Sequence, residues 1–377
     1  MPLAIFAAIT LYKFNRFNDT SVAPASLASR PPPRHRDIAM VCFQFQTSGK
    51  RPEAALSRRA LLVAGLSLAA LCLAPHAAKA APPVEIRIDW ATYNPVSIVL
   101  KDKQILEQEF ARDGISVRFV QSAGSNKALE FLNAGSLDFG STAGAAALIG
   151  RVNGNPIKAI YVYSRPEWTA LVTRKDSGIA SVADLKGKSV AVTRGTDPHI
   201  FLIRALADNK LTEKDVRLVL LQHADGRTAL TRGDVDAWAG LDPIMASAEL
   251  DDGAVLFFRN AAANSWGVLN VRESFAAENP DIVRRVLASY EKARKWSVEN
   301  PKQLAELLER VTKLPAPVIA RQLERTDLNH GPIGAAQKET LLAAGAALQQ
   351  AGVIAADVNV PATVDLLIDP GFLQAGH

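Results

Sequence analysis

Apolar and polar residues alternate with a period of two along residues 84–90, VEIRIDW, which predicts a β-strand. Residues 97–114 instead carry apolar positions three and four apart and end at a glycine, as an amphipathic helix does. The same two patterns continue downstream and predict a strand at 117–122, a helix at 127–134, a strand at 137–141, a helix at 145–152 and a strand at 157–164. The first part of the chain therefore alternates strands and helices.

A second segment repeats this alternation. It predicts strands at 189–194, 216–222 and 235–241, and helices at 199–209 and 226–233. Strands separated by helices of this length imply parallel sheets with the connections packed on both faces. We therefore predict an α/β fold of two lobes, each with a mostly parallel sheet flanked by helices.

After about residue 271 the pattern predicts helices alone. Pro280, Pro301 and Pro315 mark three helix starts, because proline fits the first helical turn. An apolar stripe at helical spacing indicates the buried face of the first of these helices, formed by Ile282, Val283, Val286, Leu287, Tyr290 and Ala293. A helical C-terminal segment thus completes the predicted fold.

Composition and charge exclude several classes of protein. With 377 residues, 48% hydrophobic and 21% charged, the chain has the composition of a soluble globular protein. Of its 43 basic and 38 acidic residues, ten and three lie in the first 80, which leaves 33 basic residues against 35 acidic ones. Phosphate binding needs a basic footprint on the folded domain, so we expect no nucleic-acid partner.

The first 80 residues have the features of an export leader. Arg58 and Arg59 precede fifteen mostly apolar residues, 60–74, and Ala78-Lys79-Ala80 has the small-x-small pattern of a signal-peptidase site. Fifteen residues span roughly 22 Å as a helix, less than the hydrocarbon core of about 30 Å, which disfavours a permanent anchor. We predict cleavage after Ala80 and a periplasmic protein, with the twin-arginine and general secretory routes both open.

Residues 1–39 have no hydrophobic periodicity and fit coding upstream of the true start, which Met40 would provide. Both cysteines, Cys42 and Cys72, also lie in the leader. Residues 81–377 therefore contain no disulfide, no cysteine ligand for zinc and no thiolate nucleophile.

The junction Gly140-Ser141-Thr142-Ala143-Gly144 contains only small side chains. Ligands of open α/β sheets bind beyond the carboxyl ends of the strands, where helix N-termini present unpaired backbone N–H groups. Small residues would let an anion reach these groups and the positive end of the helix dipole, and Ser141 and Thr142 would add hydroxyl donors. The segment predicts an anion site, with tight helix–strand packing as the alternative.

Two further strand ends lie in the second segment. The strand at 189–194 is followed by a turn at Gly195 and Thr196 and by a helix start, with Asp197 as the predicted cap. Asp242 closes the strand at 235–241, and its carboxylate would select against a bare anion unless the ligand carries a donor or Asp242 binds backbone amides. His199 and His223 are lone histidines, which are more often surface or helix residues than catalytic ones.

Four segments together resemble the periplasmic substrate-binding proteins of aliphatic sulfonate ABC importers, within a wider group that includes taurine and nitrate binders. The segments are DWATYNPVSIVLKDK at 89–103, ALEFLNAGSLDFGSTAG at 128–144, PEWTALVTRKDSGIASVADLKGKSVAVTRGT at 166–196 and GDVDAWAGLDP at 233–243. The resemblance covers 84–370. It implies a two-lobed type II periplasmic binding protein fold, with residues 81–175 and 270–377 in one lobe and 176–269 in the other.

The resemblance also implies a cleft ligand and its delivery to a membrane permease with a cytoplasmic ATPase. The candidate ligand contacts are Asn94, Gly140, Ser141, Thr142, Ala143, Trp168, Gly195, Thr196, Asp197, Asp242 and Trp266. Trp168 and Trp266 are candidate aromatic walls of the cleft, with core packing as the alternative. Leu241 departs from the aromatic residue that several sulfonate and taurine binders carry before the Asp-Pro pair, and Gly144-Ala145 replaces an acid or amide.

We therefore expect a monomeric carrier that binds an organic sulfonate, in the first place an aliphatic one, with no cofactor, no metal and no catalytic residue. Taurine, nitrate, a sulfate ester or an aromatic sulfonate are alternative ligands. The rival classes are a ligand-binding sensor and an enzyme on the same fold. Desulfinases need a cysteine nucleophile and fungal pyrimidine-precursor synthases a Cys-rich segment, and residues 81–377 have neither.

Overall fold

The computed structural model describes residues 85–374, and the structural statements below concern that part of the chain. The predicted leader, 1–80, with its cysteines and its cleavage point, lies outside the described residues. Strands and helices alternate up to Arg272, and helices dominate beyond it. The alternation predicted from the hydrophobic pattern is therefore confirmed.

Six strands form the first sheet: β1 (Glu85–Trp90), β2 (Ser116–Gln121), β3 (Phe139–Ala143), β4 (Ile157–Pro166), β10 (Gly267–Arg272) and β11 (Thr326–Asp327). Their order across the sheet is β11-β4-β10-β3-β1-β2. β1 pairs in parallel with β2 and β3, whereas β10 lies antiparallel between β3 and β4. This sheet and its helices are called the first lobe.

Five strands form the second sheet: β5 (Leu171–Thr173), β6 (Ser189–Val192), β7 (Arg217–Leu220), β8 (Ala237–Ala239) and β9 (Val255–Phe258). Their order is β7-β6-β8-β5-β9, with β6 parallel to β7 and β8 and with β5 antiparallel to β8 and β9. This sheet and its helices are called the second lobe. The α/β fold class is confirmed, but both sheets are mixed, because β5 and β10 enter from the other lobe without a helical crossover.

Seven α-helices lie between β1 and β10: α1 (Pro95–Asp102), α2 (Ile105–Phe110), α3 (Ser125–Asn133), α4 (Gly144–Val152), α5 (Asp197–Asp208), α6 (His223–Arg232) and α7 (Ile244–Asp251). The single helix predicted at 97–114 is in fact two helices. The break falls at Gln104, whose φ of 53° is left-handed. A residue in that conformation cannot continue a right-handed helix.

The C-terminal helices are α8 (Glu273–Glu278), α9 (Pro280–Glu299), α10 (Pro301–Thr312), α11 (Ala316–Glu324), α12 (Ala335–Gln350), α13 (Val360–Leu367) and α14 (Gly371–Gln374). The three predicted starts are confirmed, since α9 and α10 begin at their prolines and Pro315 caps α11. The predicted stripe on α9 is buried and packs in the core of the first lobe.

Two connections join the lobes. The chain leaves the first sheet after Pro166 and enters the second at Leu171, and it returns between Phe258 and Gly267. The lobe boundaries expected at 175 and 270 stay a prediction. In both cases the chain passes from one sheet to the other a few residues earlier. Among the helices of 85–374, none is both long enough and apolar enough to span a bilayer.

Candidate functional site

The carboxyl end of β1 carries a buried carboxylate, Asp89. It accepts hydrogen bonds from the hydroxyl of Ser122 and from the backbone N–H and the hydroxyl of Ser141, the last two at 2.8 and 2.9 Å. Burial raises the pKa of Asp89 to about 6, although these hydrogen bonds act to lower it. Asp89 thus ties together the strand ends of the first lobe.

Asn94, a predicted ligand contact, belongs to the same network. Its Oδ1 accepts a hydrogen bond from the N–H of Ser97, and its Nδ2 donates to the Ser141 Oγ at 2.8 Å and to the Tyr290 hydroxyl at 2.9 Å. The Ser141 hydroxyl in turn donates its single proton to Asp89. The structure therefore brings Asn94 and Ser141 together inside the first lobe, where the Ser141 proton is already used.

The predicted anion segment consists of the last four residues of β3 and the first residue of α4. Gly140–Ala143 lie in the strand and are buried, and α4 begins at Gly144. A Cβ on Gly140 would lie 2.8 Å from the Leu132 Cδ1, and a Cβ on Gly144 would lie 3.2 Å from the Leu341 Cδ2. The strand therefore runs two residues beyond the end predicted at 141, and close packing favours glycine at both positions.

Thr142 lies on the opposite face of β3 from Ser141, because side chains alternate along a strand. Its Oγ1 accepts a hydrogen bond from the Asn270 Nδ2 at 2.8 Å, and its carbonyl accepts one from the Tyr163 hydroxyl at 3.3 Å. The Asn270 Nδ2 also donates to the Gly140 carbonyl at 3.1 Å. Side chains of β10 and β4 therefore hold this part of β3.

The amino end of α4 is covered by the segment that leads into β10. The N–H of Gly144 donates to the Trp266 carbonyl at 2.8 Å, and the N–H of Ala145 donates to the Ser265 Oγ at 3.3 Å. Backbone that was expected to be bare is thus paired within the chain. A hydroxyl oxygen at this helix end lies where the oxygen of a bound anion would lie.

Asp197 joins the two connections between the lobes. It is the first helical residue of α5, one position after the cap Thr196, whereas the sequence predicted it as the cap itself. Its carboxylate accepts hydrogen bonds from the Trp168 Nε1 at 2.7 Å, from the Ser265 N–H at 3.0 Å and from the Ser265 hydroxyl at 2.5 Å. Burial raises the pKa of Asp197, and these hydrogen bonds partly offset the rise.

The two candidate aromatic walls have different surroundings. Trp168 is buried, with its ring edge-on to Tyr93 at a centroid distance of 5.9 Å. Trp266 is half-buried and lies under the guanidinium of Arg165, 4.8 Å from the ring centroid. Within 85–374 no carboxylate lies within ion-pair distance of Arg165, and burial lowers the pKa of this guanidinium. The Arg165 guanidinium donates a hydrogen bond to the Asn264 carbonyl at 2.9 Å, and the charge of Asp197 acts to raise its pKa against the effect of burial.

The lobes touch where the predicted turn at Gly195 and Thr196 faces the first lobe. Gly195 has a φ of +77°, and a Cβ on it would lie 3.8 Å from the Cβ of Asn126. A Cβ on Gly124, which precedes α3, would lie 2.8 Å from the Asn126 Oδ1 and 3.0 Å from the His223 Nε2 of the second lobe. The lobes are therefore closed on each other along this edge.

Asp242 lies in a charged cluster between the lobes. Its Oδ1 accepts a hydrogen bond from the Ala246 N–H at 2.9 Å, and the Arg325 guanidinium lies 3.4 Å from Oδ2. Arg325 also pairs with Glu249 at 2.5 Å, and Arg321 pairs with the same carboxylate at 2.6 Å. Burial raises the pKa of Asp242 to about 7, more than Arg325 lowers it. Binding a backbone amide is one of the two roles that the sequence left open for Asp242.

Sequence reasoning missed Asp89, Ser265 and Arg325. Asp89 had a signal, since it stands at the carboxyl end of a predicted strand. His223 begins a helix, which is one of the two positions expected for it from the sequence, and it is 1% exposed. No sequence signal marked Ser265 or Arg325, because their partners lie far away in the sequence. Across residues 85–374, no three His, Cys, Asp or Glu residues converge as a metal site would require.

Two α/β lobes that are joined by two connections and meet at polar strand ends define the class of periplasmic binding proteins. The alkanesulfonate-binding protein SsuA from Xanthomonas axonopodis pv. citri, bound to MOPS, matches with a TM-score of 0.69 at 25% identity, over 75% of this chain and 99% of that one. The periplasmic aliphatic sulphonate binding protein SsuA from Escherichia coli matches with a TM-score of 0.63 at 27% identity, over 74% and 91%.

The chain belongs to the NMT1/THI5-like family, whose model matches residues 110–304. An Escherichia coli K12 protein named as an aliphatic sulfonates-binding protein is 31% identical over 244 residues, which are 64% of this chain and 76% of that protein. The resemblance to sulfonate-binding proteins is therefore confirmed. These relatives are named as binding proteins, whereas the desulfurization enzyme DSZB, at 13% identity over 78% of this chain and 98% of that one with a TM-score of 0.57, shares the fold alone.

Proposed function

We propose that the protein is the extracytoplasmic substrate-binding component of an ABC importer and that it binds an organic sulfonate, most simply an aliphatic one, between its lobes. The observation that carries the proposal is the amino end of α4 at the lobe boundary, with the Ser265 Oγ on the Ala145 N–H. Helix N-termini favour anions because their N–H groups and the helix dipole point at the ligand. The names of the relatives support a sulfonate as that anion.

The predicted ligand contacts are part of this proposal, and they have different roles in binding. The backbone from Ala143 to Ala145 and the cation Arg165 provide positive potential for the sulfonate. Gly195, Thr196 and Asp197 approach from the second lobe. The other predicted contacts act as supports or walls, and these are Asn94, Gly140, Ser141, Thr142, Trp168, Asp242 and Trp266.

We propose further that the mature chain begins at Ala81, acts in the periplasm as a monomer, and delivers its ligand to a membrane permease with an ATPase subunit. The relatives named as periplasmic support this location. We propose no catalytic step. Residues 81–377 contain no cysteine, which is the nucleophile expected of a desulfinase on this fold.

Calorimetric titration of residues 81–377 with short alkanesulfonates, taurine, sulfate and nitrate tests the proposal. We expect at least one sulfonate to bind more tightly than sulfate and nitrate. Arg165→Met should weaken that binding on the order of tenfold or more, because it removes a charged partner. Arg118→Met is the matched control, since Arg118 is an exposed residue of the edge strand β2. Binding of no sulfonate would overturn the assignment.

A further inference from the structure

Two hydrogen-bond acceptors meet across the lobe boundary without partners. The His223 Nε2 of the second lobe and the Asn126 Oδ1 of the first are buried, and within 85–374 neither takes part in a hydrogen bond. Both atoms flank Gly124, since a Cβ on that residue would lie within 3.0 Å of each. The Gln222 Oε1, on the adjacent residue, is a third buried acceptor in the same condition.

The hydrogen-bond pattern defines the chemistry of His223. Thr193 donates its hydroxyl proton to the Leu221 carbonyl at 2.7 Å, so its 3.2 Å contact with the His223 Nδ1 uses the proton of the imidazole. A neutral ring with its proton on Nδ1 has a lone pair on Nε2. Burial lowers the pKa of His223 to about 3, so the ring is neutral at neutral pH. The Nε2 is therefore an acceptor, like the Asn126 Oδ1.

These acceptors border the position proposed for the sulfonate. Ser125 stands between Gly124 and Asn126, and its Oγ accepts a hydrogen bond from the N–H of Ala143, the cap of α4, at 3.0 Å. The acceptor pair therefore lies next to the amino end of α4, on the side where the second lobe closes. A buried acceptor without a partner costs free energy, and a donor on the ligand would remove that cost.

We infer that His223 and Asn126 together bind a hydrogen-bond donor on the ligand, so the sulfonate that this protein selects carries an amino or hydroxyl group a short distance from its sulfur. The inference rests on the proposed function and makes its substrate class more specific. The sulfonate binds at α4, and the donor group binds to a pair that exists only when the lobes are closed. The Asn126 side chain comes from the first lobe and His223 from the second, so the donor group also favours closure.

Three ligands of nearly equal size provide the test: taurine, isethionate and propane-1-sulfonate, which end in an ammonium, a hydroxyl and a methyl group. We expect taurine or isethionate to bind about tenfold or more tightly than propane-1-sulfonate, from one or two hydrogen bonds. In His223→Phe and Asn126→Leu the difference should fall to about twofold, with propane-1-sulfonate binding unchanged. His199→Phe is the matched control, because His199 is a buried histidine whose Nε2 is already paired with Glu213 at 3.0 Å.

A direct readout comes from the nitrogen-15 resonance of the His223 Nε2, which should shift when a donor-bearing ligand saturates the protein. Equal affinities for all three ligands in the unmodified protein would overturn this inference alone. Full discrimination in both variants, or an unmoved Nε2 resonance at saturation, would overturn the assignment to His223 and Asn126. Binding of no sulfonate at all would overturn the proposed function, and this inference with it.

Discussion

The hydroxyl oxygen of Ser265 accepts a hydrogen bond from the N–H of Ala145, 3.3 Å away, while its proton goes to Asp197. One side chain in a connection between the lobes thus bridges the amino end of α4 and the amino end of α5. The Ala145 N–H is therefore paired by the same side chain that binds Asp197 at the start of α5. An anion that binds at α4 must replace Ser265 there or lie beside it.

Ser265→Ala should lower the free energy of unfolding by about 1–3 kcal/mol, because the buried carboxylate of Asp197 loses a donor. Urea denaturation at pH 7 measures this change. Ser164→Ala is the control, since the Ser164 hydroxyl is buried but has no partner among residues 85–374, and its loss should leave stability nearly unchanged. Equal stabilities of the two variants would contradict the bridging role of Ser265.

The raised pKa of Asp89 should make the stability of the protein depend on pH. Burial raises the pKa of Asp89 from 3.8 to about 6, so the folded protein holds a proton that the unfolded chain has released, and stability falls as pH rises through this window. Asp89→Asn should stabilise the protein at pH 7 by about 1–3 kcal/mol, since each pKa unit corresponds to about 1.4 kcal/mol. Below pH 3.8 the difference should vanish. Denaturation curves across this range that show no such convergence would argue against a raised pKa of the buried Asp89 carboxylate.

Loss of the Glu249 ion pairs should change the closure of the lobes. Glu249 pairs with Arg325 and Arg321 on the far side of the boundary, at 2.5 and 2.6 Å. Glu249→Gln should enlarge the radius of gyration of the unliganded protein in X-ray scattering, because Arg325 loses its nearer carboxylate. Glu324→Gln is the matched control, since Glu324 is exposed and contacts Arg321 within a single helix. Identical scattering curves for the two variants would contradict a role for the cluster in closure.

A side chain at position 124 should block the close contact between the lobes. A Cβ there would lie 2.8 Å from the Asn126 Oδ1 and 3.0 Å from the His223 Nε2, too close for either atom to stay in place. Gly124→Ala should therefore weaken ligand binding about tenfold or more while thermal unfolding changes little. Gly334→Ala is the control, because nothing lies within 4 Å of its Cβ position. Unchanged affinity of the Gly124 variant would show that the lobes bind ligand without this close approach.

Export can be tested on protein recovered from cells. N-terminal sequencing of the periplasmic protein should begin at Ala81, because Ala78-Lys79-Ala80 has the small-x-small pattern of a signal-peptidase site. Replacing Arg58 and Arg59 by lysine should block export only on the twin-arginine route. A periplasmic protein that retains residues 1–80 would contradict the leader prediction.

Much of the fold could be predicted because hydrophobic periodicity is local. The strand at 84–90 and the apolar stripe on α9 follow from spacing alone, and the structure confirms both. The break at Gln104 and the antiparallel entry of β10 could not be predicted in this way. The first depends on a single left-handed residue, and the second depends on a strand that crosses from the other lobe.

Some features of the candidate site could likewise be predicted from the sequence, and others could not. The sequence by itself determined the two α/β lobes, the strand ends that carry Ser141, Asp197 and Asp242, and the absence of thiols after Ala80, because each is a property of neighbouring residues. Only the tertiary structure decided what those groups contact. Ser265 covers α4, Asp89 takes the Ser141 proton, and His223 faces Asn126 across the boundary. Such contacts join residues far apart in the chain, and their geometry exists only once the two lobes have folded and closed.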